Sequence, residues 1–407
     1  MRKIAKFNFA KLLRWLHRYV GLAIALFLVL AALSGSLLAF MPELERLSAP
    51  QFYSNRSDIP LLTFADYAEA AEKLDPRVAV TSISYQDTGR VKIGVRAKNN
   101  PDAGNPFSLE FNEILLDPAD ATLLGMRNYG ALSEGWHNIM PFIYLFHYSL
   151  ILGDPGWWFM GIIAVIWTLD CVNGLLITFP WRGNHRLPVK GFWRRWSKAW
   201  CIKTNVSPAR INFDIHRAVS LWLWVVLLVF AWSSVYMNLW GSFYLHVTRA
   251  ITEFHPPWYH LANRDPGPRL PPMNWRDAER YANNALQKLI SEENIQVFAP
   301  NSMSYVPSYR AYRYRVYSDR DLSGQHVRTE IYIDAVSGQP IFIYLPTGQY
   351  AGNTISSWLH TLHRARIWGL WYQVFISLLG IAIVVISVSG IIVWWNRRSS
   401  NNKTLAD

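Results

Sequence analysis

Two stretches of this chain decide its fold: LHRYVGLAIALFLVLAALSG at residues 16–35 and IHRAVSLWLWVVLLVFAWSS at residues 215–234. Each contains a His-Arg pair, continues as an apolar run, and carries small residues seventeen and eighteen positions after the histidine. A transmembrane helix needs about 20 mostly apolar residues, so both stretches predict membrane spans. The matching offsets indicate that the second stretch repeats the first.

A second pair of histidines repeats in the same way. His147 lies twenty-seven residues before Gly174, and His363 lies twenty-seven residues before Gly390. A packed core tolerates many apolar substitutions but gains nothing from a repeated imidazole. The repeated histidines are therefore predicted to have a function.

Hydropathy and charge predict a polytopic membrane protein with both termini in the cytoplasm. The apolar stretches long enough to cross a bilayer are 19–40, 157–179, 218–239 and 371–395. Residues 1–18, 181–217 and 396–407 together carry a net charge of about +16, whereas 42–140 and 241–359 together carry about −4. Because basic segments stay on the cytoplasmic side, the overall charge of +12 indicates topology and not nucleic-acid binding.

The predicted fold class is a membrane bundle of four transmembrane helices plus two small periplasmic α+β modules, internally duplicated. The modules are predicted from amphipathic helices beginning at Phe64 and Asn274, each followed by alternating strands. The first span is expected to be an uncleaved anchor. The predicted order is the N-terminus and first span (1–41), first outer module (42–140), outer-face segment and second span (141–180), basic cytoplasmic loop (181–212), third span (213–240), second outer module (241–359), fourth span (360–395) and cytoplasmic tail (396–407).

Several kinds of site are excluded by composition. Cys171 and Cys201 are the two cysteines, so the sequence has no disulfide framework outside the membrane and no Cys-x-x-Cys-His for covalent haem. The sequence also lacks a glycine-rich dinucleotide loop after a strand and a P-loop. Flavin, NADPH and ATP therefore have no evident site.

The histidine pattern predicts two haems. Haem iron takes two axial ligands, and neutral imidazole is a usual one. Helical bundles build such sites from facing helices. In the predicted topology His17 and His216 lie at the cytoplasmic ends of spans one and three, and His147 and His363 at the outer ends of spans two and four. Each half would thus supply one ligand to each haem. The alternative is that each histidine is an interfacial polar residue at a helix end.

Arginine follows three of these histidines, at Arg18, Arg217 and Arg364. A guanidinium can form paired charge-assisted hydrogen bonds with a haem propionate. The alternative is that these arginines lie at the interface and set topology. Tyr148 occupies the fourth position.

Other ionisable residues compete for these roles. His360 and His246 are rivals for ligating the outer haem, and His137, His255 and His260 could contact substrate, whereas His185 and His326 are predicted to be solvated. Asp170 lies inside the second span, where an ionisable group is costly. It could relay a proton or bind a quinol, or simply pair with Asn173.

The stretches LRWLHRYVGL, LFHYSLILGDPGWW, FDIHRAVSLWL, LHRARIWGLW and YIDAVSGQPI resemble the PepSY-associated transmembrane helix proteins, an iron-regulated inner-membrane group. The resemblance implies two b-type haems and, as in characterised members, reduction of ferric siderophores on the periplasmic side of the bacterial inner membrane. The expected partners are membrane lipid, the ferric siderophore and an external electron donor. That donor would be a cytoplasmic reductase docked on 181–210 or a membrane quinol.

On this hypothesis electrons move from the haem of His17 and His216 to the haem of His147 and His363, and no further catalytic residue is needed. YRAYRYRVY from Tyr309 could wall a substrate cleft or be a simple sheet face. The alternatives are an iron-chelate transporter, or a non-redox accessory or protease-modulating protein.

Overall fold

The computed structural model describes residues 9–54, 62–86, 89–180, 189–255, 261, 263–322 and 328–403. The chain divides into a helical unit (Met1–Ala39, Leu145–Val247, Leu362–Asp407) and a sheet unit (Phe40–Tyr144, Thr248–Thr361). The helices are α1 (Phe9–Leu38), α2 (Met41–Ser48), α3 (Phe64–Leu74), α4 (Ile139–Ser149), α5 (Gly153–Thr178), α6 (Val189–Trp196), α7 (Pro208–Trp222), α8 (Trp224–Asn238), α9 (Leu245–Thr248), α10 (Trp275–Glu293), α11 (Ala351–His363) and α12 (Leu370–Lys403), with a π-helical turn at Trp240–Tyr244.

The helical unit contains the candidate membrane spans. Among the described residues, three helices are long and apolar enough to cross a bilayer: Phe9–Leu38, Gly153–Thr178 and Leu370–Arg398. The pair α7 and α8 makes a fourth if it counts as one span. α1 packs against α5 and α12, α5 against α8, and α7 against α12. Small residues allow the close approach of α1 and α12: the Ser36 and Ser377 hydroxyls each donate to the other's carbonyl, at 3.1 and 2.8 Å.

The third predicted span is not straight. α7 and α8 meet at Leu223 with a bend of 69°. Next to the bend, the Ser220 hydroxyl donates to the His216 carbonyl at 2.6 Å, and such back-bonding bends helices. The prediction of a span over 218–239 did not include this bend, because an apolar run gives no signal of a change in helix direction.

The described part of the sheet unit forms an eight-stranded antiparallel sheet in the order β4-β3-β2-β1-β5-β6-β7-β8. The strands are β1 (Val78–Gln86), β2 (Arg90–Ala97), β3 (Glu113–Leu116), β4 (Leu123–Arg127), β5 (Val297–Val306), β6 (Ala311–Ser318), β7 (Thr329–Asp334) and β8 (Pro340–Tyr344). Strands β1–β4 come from the first predicted module and β5–β8 from the second. They join through β1 and β5, where Ser82 pairs with Ser304 and Ser84 with Ser302.

α3 and α10 pack on the sheet and bury their apolar stripes in one core. Phe64, Tyr67, Ala282 and Leu286 on these helices are buried with Ile83, Ile93, Tyr314 and Ile331 of the strands. Thr63 caps α3 in a capping box with Asp66, and Asn274 caps α10. Two modules predicted as separate thus share one sheet and one core.

The last hairpin of each module has the same backbone path. Asp117 and Asp334 each accept, through the carbonyl, from the amide four residues later, at 3.0 and 2.9 Å. That later residue is Gly338 with φ +73° in the second module and Ala121 with φ +56° in the first. The left-handed conformation therefore suits glycine in one copy and is adopted by alanine in the other.

Candidate cofactor site

His17 and His216 face each other within the helical unit. They lie on α1 and α7, with ring centroids 6.1 Å apart and ring planes at 50°. His17 Nδ1 lies 2.9 Å from Asp170 Oδ1, and His216 Nδ1 lies 2.9 Å from the Ile386 carbonyl oxygen. Each ring is thus oriented by an acceptor from a neighbouring helix.

His147 and His363 form a second pair in the same unit. They lie at the ends of α4 and α11, with ring centroids 6.3 Å apart and ring planes at 60°. The Ser34 hydroxyl lies 3.0 Å from His147 Nδ1, and the Ser233 hydroxyl lies 2.7 Å from His363 Nδ1. Phe230 stacks on the His363 ring at 5.0 Å.

The hydrogen bonds at Nδ1 fix the tautomer of these rings. Ser34 donates its hydroxyl proton to the Leu30 carbonyl at 2.7 Å, and Ser233 donates to the Phe230 carbonyl at 2.9 Å. Each hydroxyl can therefore accept from an imidazole Nδ1–H. A neutral ring protonated at Nδ1 leaves the Nε2 lone pair available as a metal ligand. In the part of the chain that the structure describes, none of the four Nε2 atoms has a hydrogen-bond partner.

The separation of the rings fits two imidazoles on one metal atom. A metal–imidazole bond of about 2.0 Å on each side puts two opposed ring centroids about 6 Å apart. Within the described ranges no group of three or more His, Cys, Asp or Glu could hold a metal ion. A bare ion needs such a group, whereas a porphyrin supplies the equatorial ligands and needs two axial imidazoles. The residues present therefore fit haem better than a free cation.

Small residues leave room for the histidine rings. A Cβ built on Gly35 would lie 3.1 Å from His147 Cε1, and one on Gly390 would lie 2.9 Å from His216 Cε1. A Cβ on Gly174 would lie 3.5 Å from His17 Cε1. The repeated offsets thus acquire a physical reason, because the small residues at these offsets lie against a histidine of the other pair. They are Ser34, Gly35, Gly174, Ser233 and Gly390, whereas Ser234 bonds the Phe230 carbonyl.

The two pairs lie at different depths of the bundle. On α1, His17 belongs to one pair, and Ser34, seventeen residues later, contacts the other. At 1.5 Å per residue this spacing is about 25 Å along the helix. The hydrocarbon core of a bilayer is about 30 Å thick, so the pairs have the separation of two sites near opposite membrane faces.

A cavity of about 310 Å³ surrounds the His17–His216 pair. This volume lies at the lower end of the range for cofactor pockets, about 300–1,000 Å³. Most of its lining is apolar, including Leu28, Leu227 and Ile391. The charged groups in the lining are Arg14, Arg18, Arg217, Arg397 and Asp170.

The predicted arginines have different surroundings. Arg18 lines the cavity and is exposed. Arg217 also lines it, but its guanidinium pairs with Asp214 at 2.7 Å and donates to the Ala199 carbonyl at 3.0 Å. Arg364 is half-buried. Arg14 and Arg397 were missed in the sequence, although Arg14 precedes Arg18 by one helical turn and therefore shares its face.

The rival histidines lie elsewhere. His246 is exposed on α9, and His360 belongs to the portion of α11 grouped with the sheet unit. In the sheet unit, His137 packs edge-to-face against Phe52 and His255 lies against Phe342. His185, His260 and His326 lie outside the described residues. Asp170 pairs with His17, whereas Asn173 donates to the Leu13 carbonyl at 3.1 Å, so the suggested Asp170–Asn173 pair is not formed.

A family model described as the PepSY-associated TM region matches residues 14–397. The match covers all four histidines and both units. The chain therefore belongs to the PepSY-associated TM region family. The chain matches no curated protein.

Proposed function

We propose that this member of the family is a transmembrane electron-transfer protein that binds two b-type haems and reduces a ferric siderophore outside the cytoplasmic membrane. The observation that carries the proposal is the recurrence of one geometry: two imidazole pairs with centroids 6.1 and 6.3 Å apart. In each pair both Nδ1 atoms are hydrogen-bonded to the protein, which leaves Nε2 as the available metal ligand. An interfacial polar role would require neither the opposed rings nor the repetition.

When bound, a bis-imidazole haem supplies one-electron transfer at its iron. The chain's own residues bind and orient that group. Ser34 and Ser233 hold the rings of one pair, and Asp170 and the Ile386 carbonyl hold those of the other. Gly35, Gly174 and Gly390 keep the ring edges free of side chains.

The arginines of the cavity suit the acidic edge of a haem. Arg18 and Arg397 line the cavity beside the His17–His216 pair and could each bind a propionate. The apolar lining excludes water from the ring faces and lowers the local dielectric constant. Leucines and isoleucines of the lining would hold the apolar body of a haem, and Arg18 and Arg397 would bind its propionates.

The direction of reduction follows from topology and iron chemistry. The basic segments predict that the His17–His216 end faces the cytoplasm and that the sheet unit lies outside. Iron(III) is hard and is held tightly by oxygen ligands, whereas iron(II) is softer and is released more readily. One electron per iron is therefore enough, and no covalent catalyst is needed. The electrons come from a cytoplasmic reductase or a membrane quinol.

The test is spectroscopic. The full-length protein, purified in detergent after expression with ample haem, should show a Soret band that shifts on dithionite reduction and two haems per chain by pyridine haemochrome assay. Anaerobic addition of a ferric hydroxamate chelate should reoxidise the reduced protein, whereas the gallium chelate, which has the same charge and shape but no accessible reduction, should not. One haem per chain, or none, would contradict the proposal.

The bend at Leu223 favours a second candidate, an iron-chelate transporter, because transporters build binding sites at broken helices. That candidate is weaker. Transporters of this kind break corresponding helices in both repeats, whereas α1, the counterpart of α7 and α8, is unbroken from Phe9 to Leu38. Chelate uptake into vesicles by a haem-free H17A/H147A double variant would favour transport over reduction.

A further inference from the structure

Asp170 makes the two histidine pairs chemically different. Among the described residues it is the one carboxylate within hydrogen-bond distance of any of the four rings, at 2.9 Å from His17 Nδ1. The other three rings face neutral acceptors: the Ile386 carbonyl with the Ser389 hydroxyl, the Ser34 hydroxyl and the Ser233 hydroxyl. The asymmetry lies within an otherwise repeated arrangement.

Orientation alone does not explain the carboxylate. In the twenty-seven-residue register that aligns His147 with His363, Asp170 corresponds to Ile386. The Ile386 carbonyl orients His216 at the same 2.9 Å distance at which Asp170 orients His17. A backbone acceptor therefore suffices to aim an imidazole at this position. A buried carboxylate, 10% exposed, adds a cost that aiming does not require.

The carboxylate adds a negative charge beside the His17 ring. A carboxylate that accepts from the Nδ1–H of a metal-bound histidine raises the basicity of that ligand. A more basic ligand stabilises the oxidised iron more than the reduced iron, and hydrogen bonding around the ligands is one of the means by which proteins set haem potentials. In a site of low dielectric constant the Asp170 charge also opposes the addition of an electron.

The arginines of the cavity act in the opposite sense but less directly. Arg217 is already paired with Asp214. Arg14, Arg18 and Arg397 line the same cavity, where two haem propionates would offset part of their charge. Asp170, in contrast, contacts the ligand ring itself.

We propose that Asp170 is a positioning residue that lowers the reduction potential of the haem held by His17 and His216, and so favours electron movement toward the haem held by His147 and His363. This inference rests on the proposed function. It assigns the direction of electron flow to one side chain: the site that receives electrons at the predicted cytoplasmic face is made the stronger reductant.

The experiment compares D170N with the parent protein by anaerobic spectroelectrochemical titration. Asparagine has nearly the same shape, and its amide oxygen can still accept from His17 Nδ1, so the change removes the charge and keeps the hydrogen bond. The matched control is D154N, which removes an equal charge from an exposed residue sixteen positions earlier on α5. An H147A background, which retains the His17–His216 haem, assigns each potential to its site.

We expect D170N to retain both haems and to shift the reduction equilibrium of the His17–His216 haem about tenfold toward the reduced form, which is about 59 mV for a one-electron couple. The His147–His363 haem and the D154N protein should keep the parent potentials. Two haems with unchanged potentials in D170N would overturn the inference and leave the proposed function intact. Loss of the His17–His216 haem from D170N would also overturn it, because the carboxylate charge would then be needed to bind the haem and not to set its potential. A parent protein without haem, or an H147A protein without haem, would overturn the proposed function as well.

Discussion

The two halves of the helical unit use the same spacing but different neighbours around their histidines. Seventeen residues separate His17 from Ser34 and His216 from Ser233, and both serines bond a histidine of the other pair. Behind His17, however, lies the side chain of Asp170, whereas behind His216 lies a backbone carbonyl. The spacing along the chain thus determines which ring is contacted. The chemical identity of the contacting group can differ between the halves, and so can the charge beside each ring.

Removing one histidine tests whether the halves share each site. H17A or H216A should lower the haem content from two to one per chain, and H147A or H363A should remove the other haem, because each ring supplies half of an axial pair. Pyridine haemochrome assay and the residual reduced-minus-oxidised spectrum provide the measurement. H246A, at an exposed histidine, is the matched control and should retain two haems. Loss of the same haem from H17A and H147A would contradict the pairing.

The glycines beside His17 and His216 test how closely each ring is confined. In G390A the new Cβ would lie 2.9 Å from His216 Cε1, so the ring must shift, whereas in G174A the distance to His17 Cε1 is an ordinary 3.5 Å. We expect G390A to weaken haem binding at this pair by about 10–100-fold, the range seen when ligand orientation is lost. Haem titration of the apoprotein measures the affinity. Equal affinities for G390A and G174A would show that the ring is not confined as the distances indicate.

The serines test whether hydrogen bonds at Nδ1 matter in both halves. S34A and S233A should each weaken the His147–His363 haem by up to about 10–100-fold, because the rings lose the acceptor that orients them. The same haem titration reads the effect. S234A removes the adjacent hydroxyl, which bonds the Phe230 carbonyl, and should bind haem like the parent. A weaker haem in S234A than in S233A would contradict the assignment.

The smallest expected effects are changes in the free energy of unfolding at the two hairpins of the sheet unit. G338A forces alanine to φ +73° and brings a Cβ within 2.5 Å of Tyr281, so it should lower the free energy of unfolding by more than the usual cost of about 1–2 kcal/mol for a left-handed alanine. A121G should change it by less than about 1 kcal/mol, since relief of strain and added chain entropy oppose each other.

Denaturant unfolding of the full chain, followed by circular dichroism, measures these differences. G104A supplies the control for G338A, because Gly104 has φ +69° and no atom within 4 Å of its would-be Cβ. G338A should therefore be less stable than G104A. The reverse order would show that contact with Tyr281 is easily relieved.

Much of the helical unit could be predicted from sequence because long apolar runs have few alternatives. The spans at Gly153–Thr178 and Leu370–Arg398 cover the predicted ones within a few residues. The repeated offsets also located the small residues that contact the rings. The role of Asp170 could not be found in this way, because its partner His17 lies 153 residues away and a nearby Asn173 offered a local partner.

The sheet unit was less predictable because part of its strand pairing joins segments that lie far apart in the sequence. Alternating residues predicted β1, β2, β3, β6, β7 and β8. β4, β5 and the junction of β1 with β5 were not predicted, and that junction depends on contacts between distant segments. Pairing of strands from separate modules leaves no local signal in either module. The bend at Leu223 was missed because neither glycine nor proline marks it.

The junction of β1 with β5 has a consequence for each half of the chain. Each half contributes one imidazole to each pair and four strands to the sheet. Neither half therefore contains a complete histidine pair, and each half alone would expose the strand edge that the other half covers. On the proposed function, a half-length chain would therefore need a second copy to complete each imidazole pair and to continue the sheet. Two fragments divided between Cys201 and Ser207 should accordingly bind haem when co-expressed and fail to do so when produced apart.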